Sequence, residues 1–220
     1  MFLRSLISPV CLGFSVVALT FTSAHAQTHI HKTTGVKTPH HQAAPGKSPS
    51  TRAYEAAMEK MHHDMRVPLS GNADVDFARQ MIPHHQAAVD MAKIQLKHGR
   101  DERLKKFNEW IIFAQELEIA YMKHWLVRRD NGAEIQGAKD YFGEAMATMH
   151  HGMMIDYTGD ADVDYVRGMI PHHQGAVDMA GIWMTLGTDP DLKPLSNEIF
   201  NSQTYEIGWM QRWLTRHTQK

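Results

Sequence analysis

Gly71–Ala92 reads GNADVDFARQMIPHHQAAVDMA, and Gly159–Ala180 reads GDADVDYVRGMIPHHQGAVDMA, with 17 of 22 positions identical. An internal repeat comes before any other inference because it sets the unit from which the fold is built. The offset is 88 residues, and without a gap it carries Met58, Met61, His62, His63 and Met65 onto Met146, Met149, His150, His151 and Met153. It also carries Gln115, Glu118, Ile119, Met122 and Trp125 onto Gln203, Glu206, Ile207, Met210 and Trp213. Three separated clusters have therefore stayed in register while their surroundings drifted. His98, His124 and His217 have no such counterpart.

Outward from that core, each copy reads as three helices, since apolar residues recur at helical spacing between cap and breaker residues. The spacing predicts a first helix over about Ala53–Arg66, with its counterpart around Ala138–Met154. A second helix starts at Asp74 or Asp162 and stops before Gly99 or Gly187. A third starts near Asp101, or after Asp189-Pro190, and runs past the tryptophan, with Asn131-Gly132 ending it in the first copy. Pro83 and Pro171 fall inside the second helix, where each frees one carbonyl and a kink is expected. No strand is needed, so the expected class is all-α, with repeats at 53–132 and 133–220 joined in one bundle.

Composition restricts the function. The chain carries 23 basic and 24 acidic residues, too balanced for an electrostatic nucleic-acid binder. More telling are 16 His and 15 Met beside a single Cys, because imidazole and thioether are metal ligands that form no disulfide. Residues 1–26 read as a signal peptide: Arg4 is followed by an uncharged apolar run and then by Ala24-His25-Ala26. Cleavage would remove Cys11 and Arg4, taking the formal charge from −1 to −2 and leaving a cysteine-free mature chain. A periplasmic or secreted location is expected, with no stable membrane insertion after cleavage. Residues 27–52 mix Thr, Pro, Ser, Lys, Gly and His, and read as a flexible arm in which His29, His31, His40 and His41 either catch metal loosely or are merely solvated.

The second helix places Phe77, Met81, His84, Ala88 and Met91 on one stripe, and His85 on the other side of Met81, so two imidazoles flank one thioether. In the first helix Met58, Met61, His62 and Met65 share a face, with His63 turned away. The third aligns Gln115, Glu118, Met122 and Trp125. Methionine at helical spacing also fills cores, and Met58 and Met122 fit either role. Duplicated His-His pairs beside duplicated Met are harder to explain by packing, because a buried imidazole needs polar partners. His84, His85, His172 and His173 are therefore the first candidates for metal ligation, followed by His62 and His150. Glu118 and Glu206 could be ligands, acceptors that orient an imidazole, or partners of Arg79 and Arg167. Thioether favours Cu(I) and by the same logic Ag(I), while imidazole also accepts Cu(II), Ni and Zn; copper suits both halves of the set.

The pattern G-x-A-D-V-D-[FY]-x-R-x-M-I-P-H-H-Q-x-A-V-D-M-A, with an upstream M-H-H-x-M and a downstream Q-x-x-E-I-x-x-M-x-x-W, resembles the CopM-like family, a domain of unknown function (DUF305). The likeness covers the chain after the arm, twice. It implies a ferritin-like helical bundle, export, and copper binding linked to copper tolerance. It also implies ligands at Met61, His62, Met65, Met81, His84 and His85, and at Met149, His150, Met153, Met169, His172 and His173. Met154 and Met184 stand where the first copy has Arg66 and Leu96, so the two copies need not have equal metal capacity.

The expected function is an exported copper-binding protein, not an enzyme, that buffers, sequesters or passes on copper ions; the last role would require a second copper-handling protein. The alternative is a ferritin-like metal-dependent oxidase. Di-iron bundles of that kind use a carboxylate from each of two helices and Glu-x-x-His from each of the other two. Glu59 to His62 is one match, and the repeat replaces that Glu with Ala147.

Overall fold

Four of the described helices open where a capping side chain meets the first free backbone N–H groups. The computed structural model describes residues 46–129 and 135–218. Ser48 Oγ accepts from the Thr51 N–H at 3.0 Å and Pro49 fills the first turn, opening α1 (Pro49–Asp64). Asn72 and Asp160 cap α2 (Ala73–His98) and α5 (Ala161–Leu186). Asp101 accepts from the Arg103 and Leu104 N–H groups at the start of α3 (Glu102–Arg129). The remaining helices are α4 (Ala138–Gly152) and α6 (Lys193–Thr218), and no strand occurs among the described residues.

Two boundaries differ from those read in the sequence. The first helix begins at Pro49 instead of Ala53, so residues 49–52 of the expected arm are helical, and Ser50 and Thr51 are buried. Small polar residues there hid a Ser-Pro cap. Asp74 and Asp162 are not the caps either, because both carboxylates are used elsewhere. Asp74 accepts from Trp183 Nε1 at 2.7 Å and from Thr188 and Asp189 beyond the end of α5. Asp162 accepts from Gln95 and from the Arg100 and Asp101 N–H groups beyond the end of α2. The second acid of each A-D-V-D ties down its own turn: Asp76 accepts from Ser70 and Gly71, and Asp164 from Thr158 and Gly159. Gly71 and Gly159 hold φ of 88° and 85°, where a side chain would strain the turn. Both central helices run unbroken through Pro83 and Pro171. The expected signal peptide, His29, His31, His40, His41 and the Asn131-Gly132 helix stop lie outside the described residues.

The Asp74 and Asp162 bonds each join the start of one central helix to the end of the other, so α2 and α5 run antiparallel. α3 packs along α2 and α6 along α5, while α1 and α4 lie over the α2/α5 pair. Phe107 stacks on Trp209 with centroids 4.1 Å apart, joining α3 to α6. The result is a ferritin-like helical bundle built from two tandem three-helix repeats, within one unit spanning Ala43–Lys220.

The core shows how deeply the repeats are merged. One apolar cluster holds Tyr54, Met91, Leu104, Tyr165, Met210 and Trp213, and a second holds Phe77, Trp125, Met122, Met179, Leu192 and Ile199. Trp125 and Trp213, Met122 and Met210, and Phe77 and Tyr165 are repeat mates, yet each pair is split between the clusters. Both clusters draw on both repeats, so neither repeat owns a core. Residues 46–132 expressed alone should therefore lack a cooperative thermal transition by circular dichroism. A sharp, stable melt of that fragment would contradict this.

Candidate metal centre

Residues one repeat apart can touch each other only on a two-fold axis, and two histidine pairs do so. Inside the bundle, the His84 and His172 rings lie 3.7 Å apart between centroids. Each Nε2 donates to the other's backbone carbonyl, at 3.0 and 3.1 Å. At the surface, His62 Nε2 and His150 Nδ1 are 2.7 Å apart, bringing together the ends of α1 and α4.

The surface pair sits in a cleft of about 310 Å³ lined by His62, Met65, Arg66, Met146, Met149 and His150. His62 and Arg66 also line a neighbouring groove with Met58, Met153 and Met154, whose rim carries Glu55, Glu59 and Asp156. Thioethers thus flank His62 on both sides, and carboxylates give the groove a cation-attracting edge. Gly175 makes room for one of these thioethers, since a Cβ there would come within 2.7 Å of Met149 Sδ. Burial, the nearby His150 and Arg66 push the His62 pKa down, favouring the neutral ring that binds metal. Met146, the repeat partner of Met58 and like it open to either role in the sequence, lines the cleft, and so does Arg66.

Four of the candidate imidazoles form an inner layer. His84, His85, His172 and His173 are fully buried. His85 Nε2 lies 2.7 Å from Glu118 Oε2, and His173 Nε2 donates to Glu206 Oε2 at 2.8 Å. Of the roles open to these glutamates, the hydrogen bond gives Glu206 that of orienting an imidazole, whereas the close His85–Glu118 contact lacks hydrogen-bond geometry. A carbonyl only accepts, so the Nε2 atoms of His84 and His172 carry the protons and leave Nδ1 as a bare lone pair. All four Nδ1 atoms are buried without a hydrogen-bond partner, an uncommon situation for acceptors in a core. Burial first, then neighbouring imidazoles, hold the His84 and His172 pKa values well below the ordinary histidine value.

Not every sequence candidate joins its own repeat's set. Met61, Met65, Met149, Met153 and Met169 share the first core cluster, whereas Met81 belongs to the second. Among the described residues no three His, Cys, Asp or Glu side chains converge on one point. The thioethers of Met65, Met146 and Met149 line the surface cleft beside its two imidazoles, which is the donor mixture of a soft-metal site.

Fold and site together define a fused two-repeat helical bundle with a His/Met cleft on its internal two-fold axis. The family model described as Domain of unknown function (DUF305) matches residues 74–161 and 162–220. The chain belongs to this family. Among solved structures it is similar to CopM in the Cu(I)-bound form, at 32% identity and a TM-score of 0.51, over 66% of this chain and 97% of that one. CopM in the Cu(II)-bound form matches at 32% identity and a TM-score of 0.51, over 65% and 96%. A DUF305 fragment from Deinococcus radiodurans matches at 26% identity and a TM-score of 0.50, over 68% and 99%. No curated protein matches the chain.

Proposed function

We propose that the protein is exported and binds copper, which it buffers, sequesters or passes on in copper tolerance, without catalytic turnover. The observation that carries this reading is the meeting of His62 and His150 beside Met65, Met146 and Met149. Support also comes from the likeness to CopM, a protein solved with Cu(I) and Cu(II). Export rests on the sequence of residues 1–26, and no described helix is long and apolar enough to cross a membrane.

The fit can be tested against bond lengths. A metal–imidazole bond is about 2.0 Å, so an ion shared by both rings needs nitrogens about 3.3 Å apart in a tetrahedral site and about 4 Å apart in a linear one. The present 2.7 Å separation must therefore widen. Both rings are on terminal helical turns, with His62 half-buried and His150 exposed, so side-chain rotation can supply the movement. Thioethers then complete the coordination and bias it towards Cu(I). The inner layer offers a second set of lone pairs that an ion reaches only through the core. Competition titration against a Cu(I) chelator, with Zn(II) in parallel at neutral pH, should show tighter binding of Cu(I). Equal or tighter Zn(II) binding would count against the thioether ligands.

Arg66 sets a fixed positive charge on the cleft where the other repeat has Met154. Arg66→Met should raise Cu(I) affinity several-fold in the same titration, by removing repulsion and adding a thioether. Unchanged affinity would place the bound ion away from that edge.

A further inference from the structure

α3 is apolar on two opposite faces, and only one is covered. Ile111, Gln115, Ile119, Met122 and Trp125 are buried in the bundle. About 200° round the helix, Trp110, Phe113, Leu117, Ala120, His124 and Val127 form a second line, and all six are exposed. The large apolar members are 60% (Trp110), 55% (Phe113), 57% (Leu117) and 87% (Val127) accessible. Their spacing of three, four, three, four and three residues is the a/d pattern of a two-helix seam. Folding of the repeat does not require it, because the same positions of α6 are Glu198, Asn201, Tyr205, Gly208, Arg212 and Thr215. The outer seam belongs to one repeat alone.

We infer that this seam pairs with the same seam of a second copy of the chain, the two α3 helices running antiparallel across a two-fold axis. Antiparallel register sets Trp110 against Val127, Phe113 against His124 and Leu117 against Ala120, so each layer joins a bulky side chain to a smaller one. Glu116 then faces Lys123 of the other copy, twice over, as flanking ion pairs. A parallel arrangement would instead set Lys123 beside Arg128, like against like. Glu116 already lies 3.1 Å from Lys93 of α2, which leaves it fixed at the flank of the seam. Eighteen residues of helix span about 27 Å, a small interface, so the dimer should form reversibly in the micromolar range.

Sedimentation velocity on the mature full chain, with a chelator present to prevent bridging by metal, tests this between about 1 and 300 µM. The wild type should pass from monomer to dimer, and Leu117→Glu should remain monomeric with an unchanged thermal melt, since Leu117 is exposed. Glu116→Lys and Lys123→Glu should each weaken the dimer about tenfold, and the double exchange should restore it. A wild type that stays monomeric throughout, or a dimer indifferent to Leu117→Glu, would overturn the inference.

Discussion

Replacing His62 and His150 together by alanine should weaken Cu(I) binding by at least about 100-fold, because loss even of residues that only support a metal ligand lowers affinity 10–100-fold. The helices should be unaffected, since both rings lie at the ends of α1 and α4 and neither belongs to an apolar cluster. Replacing Met65 and Met149 by leucine keeps volume while removing sulfur, so it should reduce affinity for Cu(I) more than for Cu(II). Chelator competition under reducing and oxidising conditions separates the two. A double histidine variant with wild-type Cu(I) affinity would remove the surface cleft from consideration.

The second large effect concerns stability of the metal-free protein in acid. His84 and His172 are fully buried, and desolvation first, then neighbouring imidazoles, holds both pKa values well below the ordinary imidazole value. Above about pH 6.5 both rings are neutral whether the chain is folded or unfolded, and they contribute no pH dependence. Below that, the unfolded chain takes up protons that the folded chain refuses, so stability falls as pH drops towards the depressed folded values. Each ring contributes about 1.4 kcal/mol per pH unit in that window, roughly 2.7 kcal/mol for the pair. Urea midpoints should therefore stay nearly level from about pH 7.5 to 6.5 and fall steeply from there to about pH 5.5. His84→Gln with His172→Gln should flatten that slope whatever it does to stability at pH 7.5. A midpoint independent of pH across this range would contradict the burial of neutral rings.

Much of the fold was legible because duplication exposed it. The 88-residue offset separated retained positions from drifting ones, and helical periodicity placed Phe77, Met81, His84 and Met91 on a face that is indeed buried. What periodicity does not carry is contact between helices. Asp74 looked like a cap because acids favour that position, whereas its carboxylate serves Trp183 and Thr188, more than a hundred residues away. Met81 and Met61 carry equivalent sequence signals but fall in different core clusters. Most important, a tandem repeat reads as two sites, one in each copy. The two-fold axis instead brings His62 of one copy to His150 of the other, and a linear sequence holds no sign of that axis.

That difference can be measured directly. Cu(I) should be titrated into the mature wild type and into the single variants His62→Ala and His150→Ala, in competition with a chelator of known affinity. If the tight site is shared across the axis, each single change should abolish it altogether, and the two variants should resemble the double variant. If instead each repeat holds its own ion, each single variant would keep half the tight capacity at wild-type affinity, and the shared centre would be wrong.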